Sequence, residues 1–164
     1  MKIAARPISV RDSELILTWR NSSAARNASR RSDEIGLGEH ESWFQSRVSK
    51  LAFEPFWIMS SGPIEIGYVR LDLQENEDSI FTVSIYVAPE SRGLGFGKEM
   101  LRIAIHSGIK NHGISRFRAV INKSNHASIK IFEFFGFNSV ADIDEEFCEY
   151  LLTPNKVNSS AFNL

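Results

Sequence analysis

The segment of this 164-residue chain whose residue types could do chemistry is Arg92-Gly93-Leu94-Gly95-Phe96-Gly97-Lys98. Three alternating glycines let the backbone turn sharply and aim several N–H groups at one point. A helix starting there adds its unpaired N-terminal donors and the positive end of its dipole. Arg92 and Lys98 bring full positive charge to either end. Together these features make a cradle for a phosphate or pyrophosphate. Two common nucleotide loops do not fit the spacing. A nucleoside-triphosphate loop needs G-x-x-x-x-G-K-[ST], which no register of these glycines supplies. A dinucleotide loop needs G-x-G-x-x-G, whose last position falls here on Lys98 or Met100. A glycine-rich turn can also be no more than a tight structural connection.

A cradle needs a strand before it and a helix after it, and the flanking sequence predicts both. Ile80 to Val87 alternates as a strand does, with Phe81, Val83, Ile85 and Val87 on one face and Thr82, Ser84 and Tyr86 on the other. From Gly97 to Asn111 the residues Met100, Leu101, Ala104, Ile105, Gly108 and Ile109 repeat at helical spacing, and Gly113 stops the run. Strands are also expected at Ile3 to Ile8, Phe56 to Ser60, Ile64 to Leu73, Phe117 to Ile121, Phe137 to Ile143 and Phe147 to Leu152. Helices are expected from the Asp12 cap to Asn21, over Glu39 to Lys50, and over Asn125 to Phe135. Ser22 to Gly38 is polar and reads as a long loop or broken helix, a feature that is often functional. Gln74 to Asp78 reads as a polar connection between two strands. The order β-α-α-β-β-β-α-β-α-β-β describes a mixed sheet covered by helices, with a strand-helix-strand crossover in its second half. Residues 1–153 are read as a single domain and 154–164 as a polar C-terminal tail.

Composition narrows the class further. A net charge of −1 gives no reason to expect a nucleic acid or an anionic membrane as partner. There is no apolar run long enough for a membrane helix, and no signal-like stretch after the first basic residues, so the expected compartment is the cytoplasm. The single cysteine, Cys148, lies in an apolar alternating stretch and is read as a buried, inert thiol. No set of His, Cys, Asp or Glu has metal-ligand spacing, so no metal is expected. His106, His112 and His126 read as surface residues.

Two stretches carry a resemblance. Arg92, Gly95 and Gly97 match the signature [RQ]-x-x-G-x-[GA], and Asn125 to Phe137 matches N-x-x-[AS]-x-x-x-[YF]-x-x-x-G-F through Asn125, Ser128, Phe132, Gly136 and Phe137. Both resemble the GNAT superfamily of acyl-CoA-dependent N-acyltransferases, strongly over residues 80 to 140. The resemblance implies an α/β (α+β) fold: a mixed, mostly antiparallel seven-stranded sheet flanked by four helices, with central strands splayed at the acyl-CoA site. It also implies acetyl-CoA as co-substrate. Ile85 and Val87 would offer backbone groups to pantetheine, residues 92–98 would hold the pyrophosphate, and a backbone N–H near Tyr86 or Val87 would hold the thioester oxygen. Asn125, Ser128 and Phe132 of the second motif would line the cofactor, with Asn125 also capping its helix.

The sequence departs from the family where protons move. The tyrosine that often protonates the CoA sulfur is Phe132 here, and the glutamate that some relatives place five residues before the motif asparagine is Val120. Tyr86 and Ser84, on the polar face beside the expected thioester, and His40, whose side chain could titrate near neutrality, are the substitutes offered for catalysis. Glu65, Asp72, Glu146 and Glu149 lie in segments that could border an amine pocket. For each of these an ordinary structural role is the simpler reading.

Trp19-Arg20-Asn21 followed by His40-Glu41-Ser42-Trp43-Phe44 resembles a W-R-N … H-x-x-W-[FL] branch of the family. That branch includes amino-sugar N-acetyltransferases of pseudaminic-acid and related surface-glycan pathways, and lies close to ribosomal-protein N-terminal acetyltransferases. The favoured acceptor is a small-molecule amine, a nucleotide-linked amino-sugar; a basic loop at Arg26, Arg30 and Arg31 suits its diphosphate at least as well as a peptide, while a solvated loop is the simpler reading of that cluster. Protein N-terminal acetylation and non-catalytic acyl-CoA binding are the alternatives. Members of the family often form homodimers, and nothing in the sequence specifies an interface.

Overall fold

A computed structural model describes residues 2–74 and 79–154. Seven strands form one sheet: β1 (Ala4–Pro7), β2 (Phe56–Ser61), β3 (Ile64–Leu73), β4 (Ile80–Val87), β5 (Arg116–Asn122), β6 (Asn138–Asp142) and β7 (Phe147–Leu152). Their order across the sheet is β1-β2-β3-β4-β5-β7-β6. Every neighbouring pair is antiparallel except β4 and β5, which are parallel. A parallel pair requires a crossover, and the long helix that follows β4 provides it.

Five helices are described: α1 (Ser13–Asn21), α2 (Ser23–Asn27), α3 (Leu37–Ser49), α4 (Phe96–His112) and α5 (His126–Phe134). The one beyond the four expected is α2, five residues within the stretch read as a long loop or broken helix. Ser22 caps it by accepting from the Ala25 N–H, and so short a helix carries little periodicity to read. The expected Asp12 cap also behaves differently. Asp12 makes no cap bond to α1; its carboxylate instead accepts from the Ser9 N–H at 2.7 Å and pairs with Arg6 at 2.8 Å. Residues 75–78 of the polar connection and the tail beyond Pro154 lie outside the described residues.

Alternation along the strands separates two cores. Val69, Leu71, Val83, Phe117, Ala119 and Ile121 face Met100, Leu101, Ala104 and Ile105 of α4 and Phe132 of α5. On the other side Ile58, Tyr68 and Tyr86 face Ile16 and Trp19 of α1 and Phe44 of α3. Substituting any of these large buried side chains by Ala would cost about 2–5 kcal/mol. The sheet is therefore a wall with one set of helices on each face. No described helix is long and apolar enough to cross a membrane.

Candidate functional site

β4 and β5 pair only at their first residues. The ladder runs Ile80 to Arg116, Phe81 to Phe117 and Thr82 to Arg118, and then stops. Beyond it the two strands part, each still paired on its outer side, β4 with β3 and β5 with β7. The direction of the free backbone groups follows from two hydrogen bonds. Gln74 N–H donates to Ile80 C=O at 3.0 Å, and Ala88 N–H donates to Ile66 C=O at 2.9 Å. Even-numbered residues of β4 thus face β3, and by strand alternation Val83, Ile85 and Val87 turn their backbone groups toward the opening. Unpaired polar backbone inside a domain needs partners, and an extended ligand laid in the gap would supply them.

The glycine loop lies at the end of this opening away from the ladder. Gly93 and Gly95 hold φ of +74° and +81°, values that disfavour other residues, and Gly95 sits at the N-cap of α4. The first-turn N–H groups of α4 have no intrahelical acceptor and are free for an anion. Gly97 has φ in the ordinary range but little room: an added Cβ would lie 3.3 Å from Ile131 Cδ1 and 3.4 Å from Val87 Cγ2. The loop's charge is partly tethered. Arg92 Nε donates to Val87 C=O at 3.1 Å, and Lys98 Nζ lies 3.2 Å from the centre of the Phe134 ring. Both side chains are exposed. These features fit a pyrophosphate joined to an extended chain, with the charge at the helix start and the chain in the gap.

Across the gap stands the second motif. Asn125 Oδ1 accepts from the Ser128 N–H at 3.1 Å and caps α5. Phe132 is buried, edge-on to Phe137 with ring centres 4.9 Å apart, and belongs to the core under α4 and α5. Val120 is the cross-strand partner of Glu149.

The opposite face of β4 carries Thr82, Ser84 and Tyr86, registered with Asp72, Arg70 and Tyr68 of β3. Trp19, Tyr68 and Tyr86 form a buried aromatic cluster, with Tyr68 and Tyr86 stacked at 5.5 Å and Trp19 5.7 Å from Tyr86. Burial pushes the Tyr68 hydroxyl's pKa up, which keeps it neutral. The Tyr86 proton has a defined destination. Ser22 Oγ donates to Trp19 C=O at 2.8 Å, so across the 3.1 Å contact it is Tyr86 that donates to Ser22. Ser84 is half-buried, and no hydrogen bond of its hydroxyl is seen among the described residues.

His40 is not brought to the opening. It is 1% exposed, its Nε2 faces Ser13 C=O at 2.8 Å, and its ring lies 5.6 Å from those of both Trp43 and Phe44. A carbonyl can only accept, so Nε2 carries the proton and ties α3 to the start of α1. The carboxylates are also engaged. Glu65 pairs with Arg6 at 2.7 Å, Asp72 with Arg47 and Arg70, and Glu149 with Arg118. Glu146 is an exposed turn residue whose carbonyl accepts from Lys123 N–H. Arg26, Arg30 and Arg31 each meet a carboxylate: Glu34 at 3.5 Å, Asp144 at 3.3 Å, and Glu39. Cys148 is buried, with Sγ 3.0 Å from Ser139 Oγ. Among the described residues no group of three His, Cys, Asp or Glu could hold a metal ion.

Two residues take roles that the sequence does not assign them, Asn21 of the Trp19-Arg20-Asn21 motif and Gly67 of β3. Asn21 clamps the loop before α3, giving a hydrogen bond to Ile35 C=O and taking one from Ile35 N–H, both at 2.9 Å. Gly67 sits in the middle of β3 at φ +146°, close against β4.

Comparison with known proteins bears on this geometry. Residues 2–138 match the family described as acetyltransferase (GNAT) domain. Over 78 residues the chain is 35% identical to an N-acetyltransferase 9-like protein of Nematostella vectensis, a stretch that makes up 46% of this chain and 39% of that protein. It is 32% identical, again over 78 residues, to alpha/beta-tubulin-N-acetyltransferase 9 of Homo sapiens, covering 46% of this chain and 38% of that protein. The match thus spans under two-fifths of the length of these curated relatives. The fold is similar to that of spermidine N-acetyltransferase from Vibrio cholerae, solved in complex with CoA and spermine, with TM-score 0.83, 15% identity and 98% of each chain covered.

Proposed function

The chain belongs to the acetyltransferase (GNAT) domain family, and on that premise we propose that it moves the acetyl group of acetyl-CoA to a primary amine. The observation that carries the reading is the loss of pairing between β4 and β5 after Thr82 and Arg118, directly before the glycine loop. Acetyl-CoA supplies an acetyl thioester, whose carbonyl carbon the amine attacks as the carbon–sulfur bond breaks. The chain's part is to hold both reactants. Phe96, Gly97 and Lys98 N–H groups and the Arg92 and Lys98 charges take the pyrophosphate. Backbone groups of Val83, Ile85 and Val87 align the extended arm, and the Val87 N–H meets the thioester oxygen as charge gathers on it. Holding both reactants in line contributes much of the rate.

Of the three hydroxyl and imidazole candidates, Ser84 is the one whose polar atom is free to meet the departing sulfur. Tyr86 gives its proton to Ser22, and the His40 ring is occupied between α1 and α3. The ammonium proton leaves to water.

For the acceptor, the likeness of Trp19-Arg20-Asn21 and His40 to Phe44 to the branch that includes amino-sugar N-acetyltransferases supports an amino-sugar carried on a nucleotide. A protein amine is the second reading. It is favoured by the 35% and 32% identical stretches and by the carboxylates already paired with Arg26, Arg30 and Arg31. An acetyl-CoA assay with mass detection separates them, offering a nucleotide-linked 4-amino-sugar, peptides with free N-termini, and a polyamine. Acetylation of the amino-sugar supports the first reading, and acetylation of peptides alone replaces it with the second. Absence of transfer to every amine, with acetyl-CoA still bound, leaves a binding module.

A further inference from the structure

We propose that Gly67 is the positioning residue of the reaction, holding the Tyr86–Val87 peptide so that its N–H points at the thioester oxygen. The inference rests on the acetyl-CoA reading above and extends it to a residue on the neighbouring strand. Gly67 is registered with Val87 and lies beside a shift in the β2–β3 ladder, where Met59 pairs with Gly67 but Ser60 pairs with Glu65. Ile66 is the extra residue of that bulge, and a bulge bends the strand that carries it. At φ +146° the Gly67 backbone adopts a conformation closed to L side chains. The space is closed as well: a Cβ would lie 2.0 Å from Tyr86 O, 3.0 Å from Tyr86 C and 3.1 Å from Met100 Cε.

The consequence passes through one peptide plane. The Tyr86–Val87 bond is trans, so the Tyr86 C=O and the Val87 N–H point in opposite directions. With the C=O seated against Gly67, the N–H is directed to the other edge of β4, where pairing with β5 has ended. Any side chain at 67 displaces that carbonyl and rotates the N–H with it. Gly62 offers a contrast in the same strand pair, with φ +60° and nothing within 4 Å of a built Cβ. Replacing it strains the backbone and leaves the Tyr86–Val87 peptide alone.

The test compares wild type, Gly67→Ala and Gly62→Ala by isotope-edited infrared spectroscopy of bound acetyl-CoA labelled at the thioester carbonyl, with affinity and steady-state rates alongside. Wild type and Gly62→Ala should both show the carbonyl stretch moved to lower frequency. Folded Gly67→Ala should bind acetyl-CoA within a few-fold of wild type, lose that shift, and lose about 10²–10³ in kcat, the range for removing one such donor. If Gly67→Ala does not fold, an amide-to-ester replacement at Val87 takes its place, with the same expected loss of the shift. A wild-type shift that persists in the folded variant or in the ester overturns the role of Gly67. Failure of wild type to bind acetyl-CoA overturns the functional reading itself.

Discussion

Thr82 and Arg118 are the last partners on the parallel ladder between β4 and β5. The closed end of the opening is reinforced from the β5 side. Arg118 pairs with Glu149 of β7 and donates to Gln74 beside β3 at 3.2 Å, so its side chain ties three strands together at the point where two of them begin to part. Past that point neither strand loses its outer neighbour, and the opening is a stable part of the sheet.

Gly95→Glu should remove acetyl-CoA affinity by two orders of magnitude or more, about 3 kcal/mol. Gly95 is at φ +81° with open space around it, so a side chain strains the cap and a carboxylate places negative charge at the α4 N-terminus where phosphate would sit. Isothermal titration with CoA measures the loss. Affinity within a few-fold of wild type would show that the loop is only a turn.

Tyr86→Phe and Ser84→Ala should differ. The Tyr86 proton goes to Ser22, so the phenylalanine variant gives up one hydrogen bond, about 1 kcal/mol of stability, and keeps most of its rate. Ser84→Ala removes a free hydroxyl beside the opening and should fall further in kcat, toward the ~10²-fold that loss of a general acid costs. Chemical denaturation and steady-state rates at one pH check both. The reverse order would return Tyr86 to the chemistry.

Acid should weaken the fold through Asp12. The hydrogen bonds from Arg6, with those from Ser9, hold its carboxyl below the usual carboxylate range. A depressed folded value means the contribution is fully present above the unfolded pKa of about 3.9 and is lost as pH falls through the folded one. Asp12→Asn should therefore be less stable than wild type at neutral pH and should flatten the decline below about pH 4. Urea midpoints across that window read both effects.

β3, β4 and β7 were legible to the residue because each is a run rich in β-branched, aliphatic and aromatic residues bounded by polar or turn residues. The glycine loop was legible because a positive φ at Gly93 and Gly95 leaves a residue-type signature. His40 was not, because a polar residue at a helix start reads as exposed until the Ser13 carbonyl that satisfies it is seen. The same holds for Arg26, Arg30 and Arg31. Their partners Glu34 and Glu39 are near in sequence, but Asp144 reaches Arg30 from the β6–β7 turn. Gly67 stayed hidden because it interrupts a strand pattern by one residue, and what gives it meaning is a carbonyl nineteen positions away.

The most direct measurement is a titration of the isotope-labelled chain with CoA, followed by amide NMR and hydrogen exchange. Saturable binding is expected, with shifts and added protection at Ile85, Val87 and the first-turn amides Phe96 to Lys98, while Thr82 and Arg118 in the closed ladder change little. Saturable binding that leaves the Ile85 and Val87 amides unchanged, or no binding at all, would contradict the acetyl-CoA reading.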